Sequence, residues 1–213
     1  MVGARRSTIG AFLRDRSGLA MTEALLVMPL LMLIFGTMIE FSTMMFQWNQ
    51  TVTAMQYGAR MAAVSDPLTD ISTLDVYSGG VTGAPPPSGT GTTITCGAGA
   101  SPCVLGEIAR LYTGGDGICG GTSPLIGVCD IAPFIRMENL RISYHRSNLG
   151  YVGRPFGTIV TVTLELRNQT FDFFALDTIM ALFSPVGLPS GIAIPPHPVS
   201  ITSEDLCSVG TCP

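Results

Sequence analysis

The sequence predicts an α+β protein: a long N-terminal helix, part transmembrane and part amphipathic, followed by a small disulfide-containing domain with an antiparallel β-hairpin. Three observations lead there. A charge-free apolar run follows a cluster of arginines, a helical period continues beyond that run, and strict two-residue alternation appears once, over residues 138–167. With 213 residues, the chain has room for one membrane element and one modest folded domain.

The helix comes first. Arg5, Arg6, Arg14 and Arg16 precede Gly18, the next charge is Glu23, and residues 24–39 carry none until Glu40. Sixteen helical residues measure about 24 Å, short of a hydrocarbon core of about 30 Å. Extending the segment to residues 19–46 gives about 42 Å and brings in Glu23 and Glu40. Each glutamate then lies roughly 12 Å from a midplane near Leu31, close to an interface where a carboxylate is tolerated. A secretory signal would show a shorter core and a small-x-small cleavage site after it, whereas Glu40-Phe41-Ser42-Thr43-Met44-Met45-Phe46 follows here. The expectation is a retained single span. Pro29 removes one backbone hydrogen bond within it, and Gly36 is a second weak point, both of which membrane helices tolerate.

Beyond Glu40 the pattern becomes amphipathic. Trp48, Val52, Met55, Ala59 and Ala62 recur at helical spacing, while Gln47, Gln50, Thr53, Gln56 and Arg60 fall elsewhere. Gly58 and Ala62 form a small-xxx-small pair that invites close approach of another helix. The blander reading has part of this stripe covering the chain's own domain. Asp66-Pro67 ends the pattern, because proline disfavours helix in the residue before it. Residues 19–64 therefore read as one helix of about 69 Å.

Charge excludes some functions and fixes an orientation. The chain has no lysine. Its first 18 residues carry +3 and the remainder −7, giving the net charge of −4. A nucleic-acid binder would carry its positive charge on the folded part. Arginines held on the cytoplasmic side instead predict an inner-membrane protein with its N-terminus inside and most of the chain in the periplasm.

Gly18 with Glu23 five positions into the chain that would begin at Leu19 resembles the cleavage site of type IV prepilin-like proteins. Glu23-Ala24-Leu25, Met28-Pro29-Leu30-Leu31, Phe35-Gly36, Glu40 and Tyr57-Gly58-Ala59-Arg60-Met61-Ala62-Ala63 are similar to TadE-like proteins, minor pseudopilins of the tight-adherence (Tad, Flp pilus) system. The resemblance covers residues 14–65. It implies that a prepilin peptidase cuts between Gly18 and Leu19. It also implies that Glu23 pairs with the freed amine of a neighbouring subunit, a role that suits a carboxylate in an apolar bundle. Glu40 matches the pattern with no chemistry attached to it. Leu19 departs from it, since pilins often carry phenylalanine there and TadE-like proteins alanine. The implied partners are the inner membrane, the prepilin peptidase, other Tad pilins and pseudopilins, and the pilus assembly platform.

Residues 66–135 form a Gly/Pro/Cys-rich region. Over 66–103 the composition is that of a loop. Residues 104–112 allow a short helix with Leu105, Ile108, Ala109 and Tyr112 inward. The glycines at 114–121 cannot form a Walker loop, which needs a Gly-Lys pair. All six cysteines (Cys96, Cys103, Cys119, Cys129, Cys207 and Cys212) follow the span, where an oxidising periplasm favours disulfides. Of the 15 pairings that six cysteines allow, the expectation is the local set, 96–103, 119–129 and 207–212. A metal site is the weaker alternative, since no C-x2-C pair occurs and His145 and His197 stand apart from the cysteines.

Leu140, Ile142 and Tyr144 alternate with Arg141, Ser143 and His145, and Val160, Val162, Leu164 and Leu166 with Thr161, Thr163 and Glu165. Residues 136–167 thus form the hairpin, turning through 148–157, with His145 exposed. A hairpin packed on the outer half of a long helix is the pilin-like arrangement. Residues 168–213 supply an apolar helix at 171–183, covering the sheet or touching membrane or partner subunits, and a proline-rich tail of extended structure pinned by the last cysteine pair. No nucleophile, base and carboxylate are placed to form a catalytic set, so neither an enzyme nor a cofactor is expected. The expected function is that of a TadE-like minor pseudopilin in adhesion-pilus assembly. The alternative is an uncleaved, membrane-anchored protein whose periplasmic domain scaffolds the same machine.

Overall fold

The computed structural model describes residues 17–74, 81–86, 92–154, 159–171, 173 and 192–203, without the side chains of 17–20 and 192. Helix α1 runs from Ser17–Val64 without a break, through Pro29. Two compact units divide the chain, and the boundary falls within this helix, between Thr43 and Met44.

The second unit holds the folded domain. Its strands are β1 (Thr93–Gly97), β2 (Leu140–Arg146), β3 (Val160–Leu166), β4 (Thr170–Phe171), β5 (Ile192–Ala193) and β6 (Val199–Thr202). Two short helices, α2 (Leu105–Thr113) and α3 (Val128–Ile131), lie between β1 and β2. Strands β1, β2, β3 and β6 form a four-stranded antiparallel sheet in that order, and β4 pairs with β5 separately. The expected hairpin is its centre, with Ile142 opposite Leu164 and Tyr144 opposite Val162. Alternation does what the pleat requires. Leu140, Ile142, Tyr144, Val160, Val162, Leu164 and Leu166 are buried on one face, while His145 is exposed on the other. On that outer face Glu165 pairs with Arg141 at 3.3 Å and with Arg167 at 3.0 Å.

The structure departs from the sequence reading at three places. First, residues 93–97, read as loop, form β1 and pair with β2 from Thr93 opposite His145 to Gly97 opposite Arg141. The strand is five residues long and flanked by glycine and threonine, so composition hides its alternation. Gly97 ends it at φ 96°, where an added Cβ would strike the Leu140 carbonyl. Second, Leu105 is 76% exposed and Leu111 only 3%, so the inward row of α2 is Ile108 and Leu111 with Tyr112 half-buried. Leu105 shares that face but is the helix's first residue, where Val104 before it is exposed as well. Third, the proline-rich tail is extended at Val199–Thr202 as expected, but there it joins the main sheet as a strand.

Disulfides join Cys96 to Cys103 and Cys119 to Cys129, the expected local pairs. Cys207 and Cys212 lie outside the described residues, as does most of the helix expected at 171–183. The first bridge fixes the end of β1, where Gly97 N–H also donates to Ser101 O at 2.8 Å. Arg146 fastens the turn at Ser72–Leu74 by donating from Nε to Leu74 O at 2.9 Å.

Tyr144 is the largest fully buried side chain. Its hydroxyl oxygen accepts the Leu68 N–H at 3.0 Å, tying the chain just past α1 to the middle of the sheet. Burial pushes its pKa up to about 12. Tyr144→Phe leaves the Leu68 N–H unpaired in the interior, and we expect it to destabilise the domain by about 1–3 kcal/mol in urea melts. Above about pH 10 the unfolded chain loses the phenolic proton while the folded one keeps it to about 12, so stability falls as pH rises through that window. A two-unit shift corresponds to about 2–3 kcal/mol, and that loss should be much smaller in the phenylalanine variant.

Candidate membrane-anchoring and assembly segment

Helix α1 is the candidate functional element, and its two halves have opposite surroundings. From Met21 to Ile39 every described residue is exposed except the half-buried Gly36, on all faces of the helix. A helix that is apolar all round and exposed in this way suits hydrocarbon. Apart from the bond that Pro29 removes, its backbone groups pair within the helix, as a low-dielectric medium demands. The hydroxyls follow the same rule: Thr37 donates to Leu33 O, Ser42 to Met38 O and Thr43 to Glu40 O, at 2.8–2.9 Å. This is the one helix among the described residues long and apolar enough to cross a membrane.

Gly18 and Leu19 lie in the first turn of α1. Glu23 is exposed in the next turn, between Thr22 and the apolar run. Glu40 behaves differently. It is 6% exposed, whereas its neighbours Ile39 and Phe41 are 63% and 56% exposed. The two glutamates that look alike in the sequence therefore differ: one carboxylate is open to a neighbour and the other is enclosed. Seventeen residues separate them, about 26 Å along the axis.

From Met44 the helix belongs to its own domain. Thr51, Ala54, Met55, Gly58, Ala59, Met61, Ala62 and Ala63 are buried. One apolar cluster joins Met55, Ala59 and Ala62 to Ile142, Tyr144, Val162 and Leu164. A Cβ on Gly58 would come within 2.8 Å of both Leu164 Cδ2 and Val128 Cγ2. The close approach allowed by the small residues Gly58 and Ala62 thus serves this chain's sheet and α3, leaving that face covered rather than open to a neighbouring helix. Between the exposed apolar residues Met45 and Phe46 at one end and Val64 at the other, what remains exposed is a narrow polar strip, Asn49, Thr53, Gln56 and Arg60.

At the junction, the half-buried Trp48 meets His197 edge to face, with ring centroids 4.3 Å apart. Among the described residues, buried His197 Nε2 has no hydrogen-bond partner. Nothing in the residue pattern signals this contact, because the two rings are 149 positions apart. Among the described residues, no group of three or more His, Cys, Asp or Glu side chains is placed to hold a metal ion.

The class defined by this arrangement is a protein with one apolar N-terminal helix of membrane-spanning length leading directly into an α+β domain. Residues 18–60 match the TadE-like protein family, so the chain carries a TadE-like segment over 43 of its 213 residues. No curated protein and no solved structure matches the chain. The matched segment begins at Gly18 and ends at Arg60, within the buried half of α1.

Gly58→Leu tests the packing of that half. The added side chain has to displace Leu164 and Val128, and we expect the domain's urea midpoint to report a loss of about 1–3 kcal/mol. The helicity of the apolar half should be unchanged.

Proposed function

We propose that this protein is a minor pseudopilin of a Tad (Flp) pilus, an assembly component rather than an enzyme. The observation that carries the reading is that the TadE-like match opens on Gly18, the residue at which the basic leader gives way to the apolar helix. A prepilin peptidase cuts between Gly18 and Leu19, with the arginines on the cytoplasmic side of the inner membrane. Glu23 becomes the fifth residue of the mature chain. Its exposure supports a pairing role, because an open carboxylate beside hydrocarbon gains most from a neighbour's terminal ammonium. The paired cysteines support a periplasmic domain, since disulfides persist in oxidising compartments. That domain and the polar strip of α1 then face the other pilins and pseudopilins and the assembly platform.

The experiment is N-terminal sequencing of the protein taken from its host's membranes, with and without the prepilin peptidase. We expect a start at Leu19 that reverts to the intact leader when the peptidase is deleted. Glu23→Gln should leave the domain folded and reduce piliation. An uncut N-terminus in peptidase-positive cells would overturn the proposal and favour a permanent bitopic scaffold.

A further inference from the structure

The two edges of the main sheet are treated differently. At the C-terminal end of β1 the chain covers its own edge: Ser101 bridges to Cys96, its carbonyl accepts the Gly97 N–H, and the Cys96–Cys103 disulfide holds the loop in place. At β6 no such cover is present among the described residues. The Ser203 N–H donates to Val160 O at 2.8 Å, and the register continues with Ile201 opposite Val162 and Val199 opposite Leu164. In an antiparallel ladder alternate residues face the partner strand, so the backbone N–H and C=O groups of Ser200 and Thr202 point away from β3. No described residue hydrogen-bonds these backbone groups.

The side chains on this edge lack the usual deterrents. Val-Ser-Ile-Thr is short and follows Pro198, but within it there is no charge, no proline and no bulge, three of the devices that keep strand edges from pairing. Its inner-face residues Val199 and Ile201 are only half-buried, whereas their neighbours Leu164 and Val162 are fully buried. Apolar cover therefore ends one strand too early. On the outer face, hydroxyl rows cross the sheet and stop at β6: Thr95, Ser143, Thr163 and Ser200 in one row, and Thr93, His145, Thr161 and Thr202 in the next. Within the first row Thr163 and Ser200 hydroxyls are 2.8 Å apart.

We propose that the β6 edge pairs with β6 of a second copy of this chain, antiparallel and centred on Ile201. That register is the one the edge itself selects. With Ile201 opposite its own counterpart, Ser200 faces Thr202 of the other copy, and these outward residues exchange backbone hydrogen bonds on both sides of the centre. Side chains stay on their proper faces, since a one-residue slip would put Ile201 against a hydroxyl. The two isoleucines cover each other on the inner face, and each hydroxyl row continues into the second copy. No like charges are brought together, so a partner strand of identical sequence is acceptable.

The test uses the full chain in detergent micelles, with protein mass read by light scattering and folding by circular dichroism. Wild type should be dimeric. Ser200→Lys with Thr202→Lys sets lysine opposite lysine twice, and the dimer should be lost while the spectrum is kept. Ser200→Glu with Thr202→Lys removes the same Ser200–Thr163 contact but sets glutamate opposite lysine, and the dimer should return. A monomeric wild type, an unchanged protein mass in all three, or failure of the charge-swapped variant to re-form the dimer would each overturn the proposal.

Discussion

The close contact of α1 with β3 and α3 at Gly58 is the interaction on which the folded domain depends. Only a residue without a side chain lets the helix approach until Leu164 and Val128 fill the space. Around that point Met55, Ala59 and Ala62 meet the apolar face of the hairpin, and the core has no other long helix among the described residues to replace them. A 48-residue helix contributes its second half as the central element of a small core while its first half presents apolar side chains on every face.

The first half follows a different rule. Hydrocarbon offers no hydrogen bonds, so polar groups on a helix placed there must pair within the protein. The threonine and serine hydroxyls that return to carbonyls one turn back do so, and Glu40 is enclosed rather than open. Glu23 takes neither course. It stands near the end of the apolar run, where an interface lowers the cost of an exposed carboxylate.

The legible parts of the sequence are those where one period runs long enough to be unambiguous. Seven-residue alternation gave β2 and β3 with their buried faces, and helical spacing with the Asp66-Pro67 stop placed the end of α1. Short separations made the Cys96–Cys103 and Cys119–Cys129 pairs the natural expectation. What escaped was set by partners distant in sequence. β1 is a strand because β2 offers it a register, not because Thr-Ile-Thr-Cys-Gly announces one. β6 hides within a proline-rich tail. The small residues at 58 and 62 signal close approach to something, and only the fold shows that it is the chain's own sheet. Likewise, spacing alone could not distinguish the enclosed Glu40 from the open Glu23, nor bring His197 to Trp48.

Trp48 is the chain's single tryptophan and stands where the exposed apolar half gives way to the domain, so its fluorescence reports the central claim directly. With the apolar run from Met21 to Phe46 centred in a bilayer, Trp48 lies about 22 Å from the midplane, at headgroup level. The measurement is quenching of the reconstituted full chain by lipids carrying the quencher either on the headgroup or at the end of the acyl chain. The account predicts strong quenching from the headgroup position and weak quenching from the chain end. The reverse order would place the domain boundary inside the hydrocarbon, and no quenching from either position would contradict membrane insertion of α1.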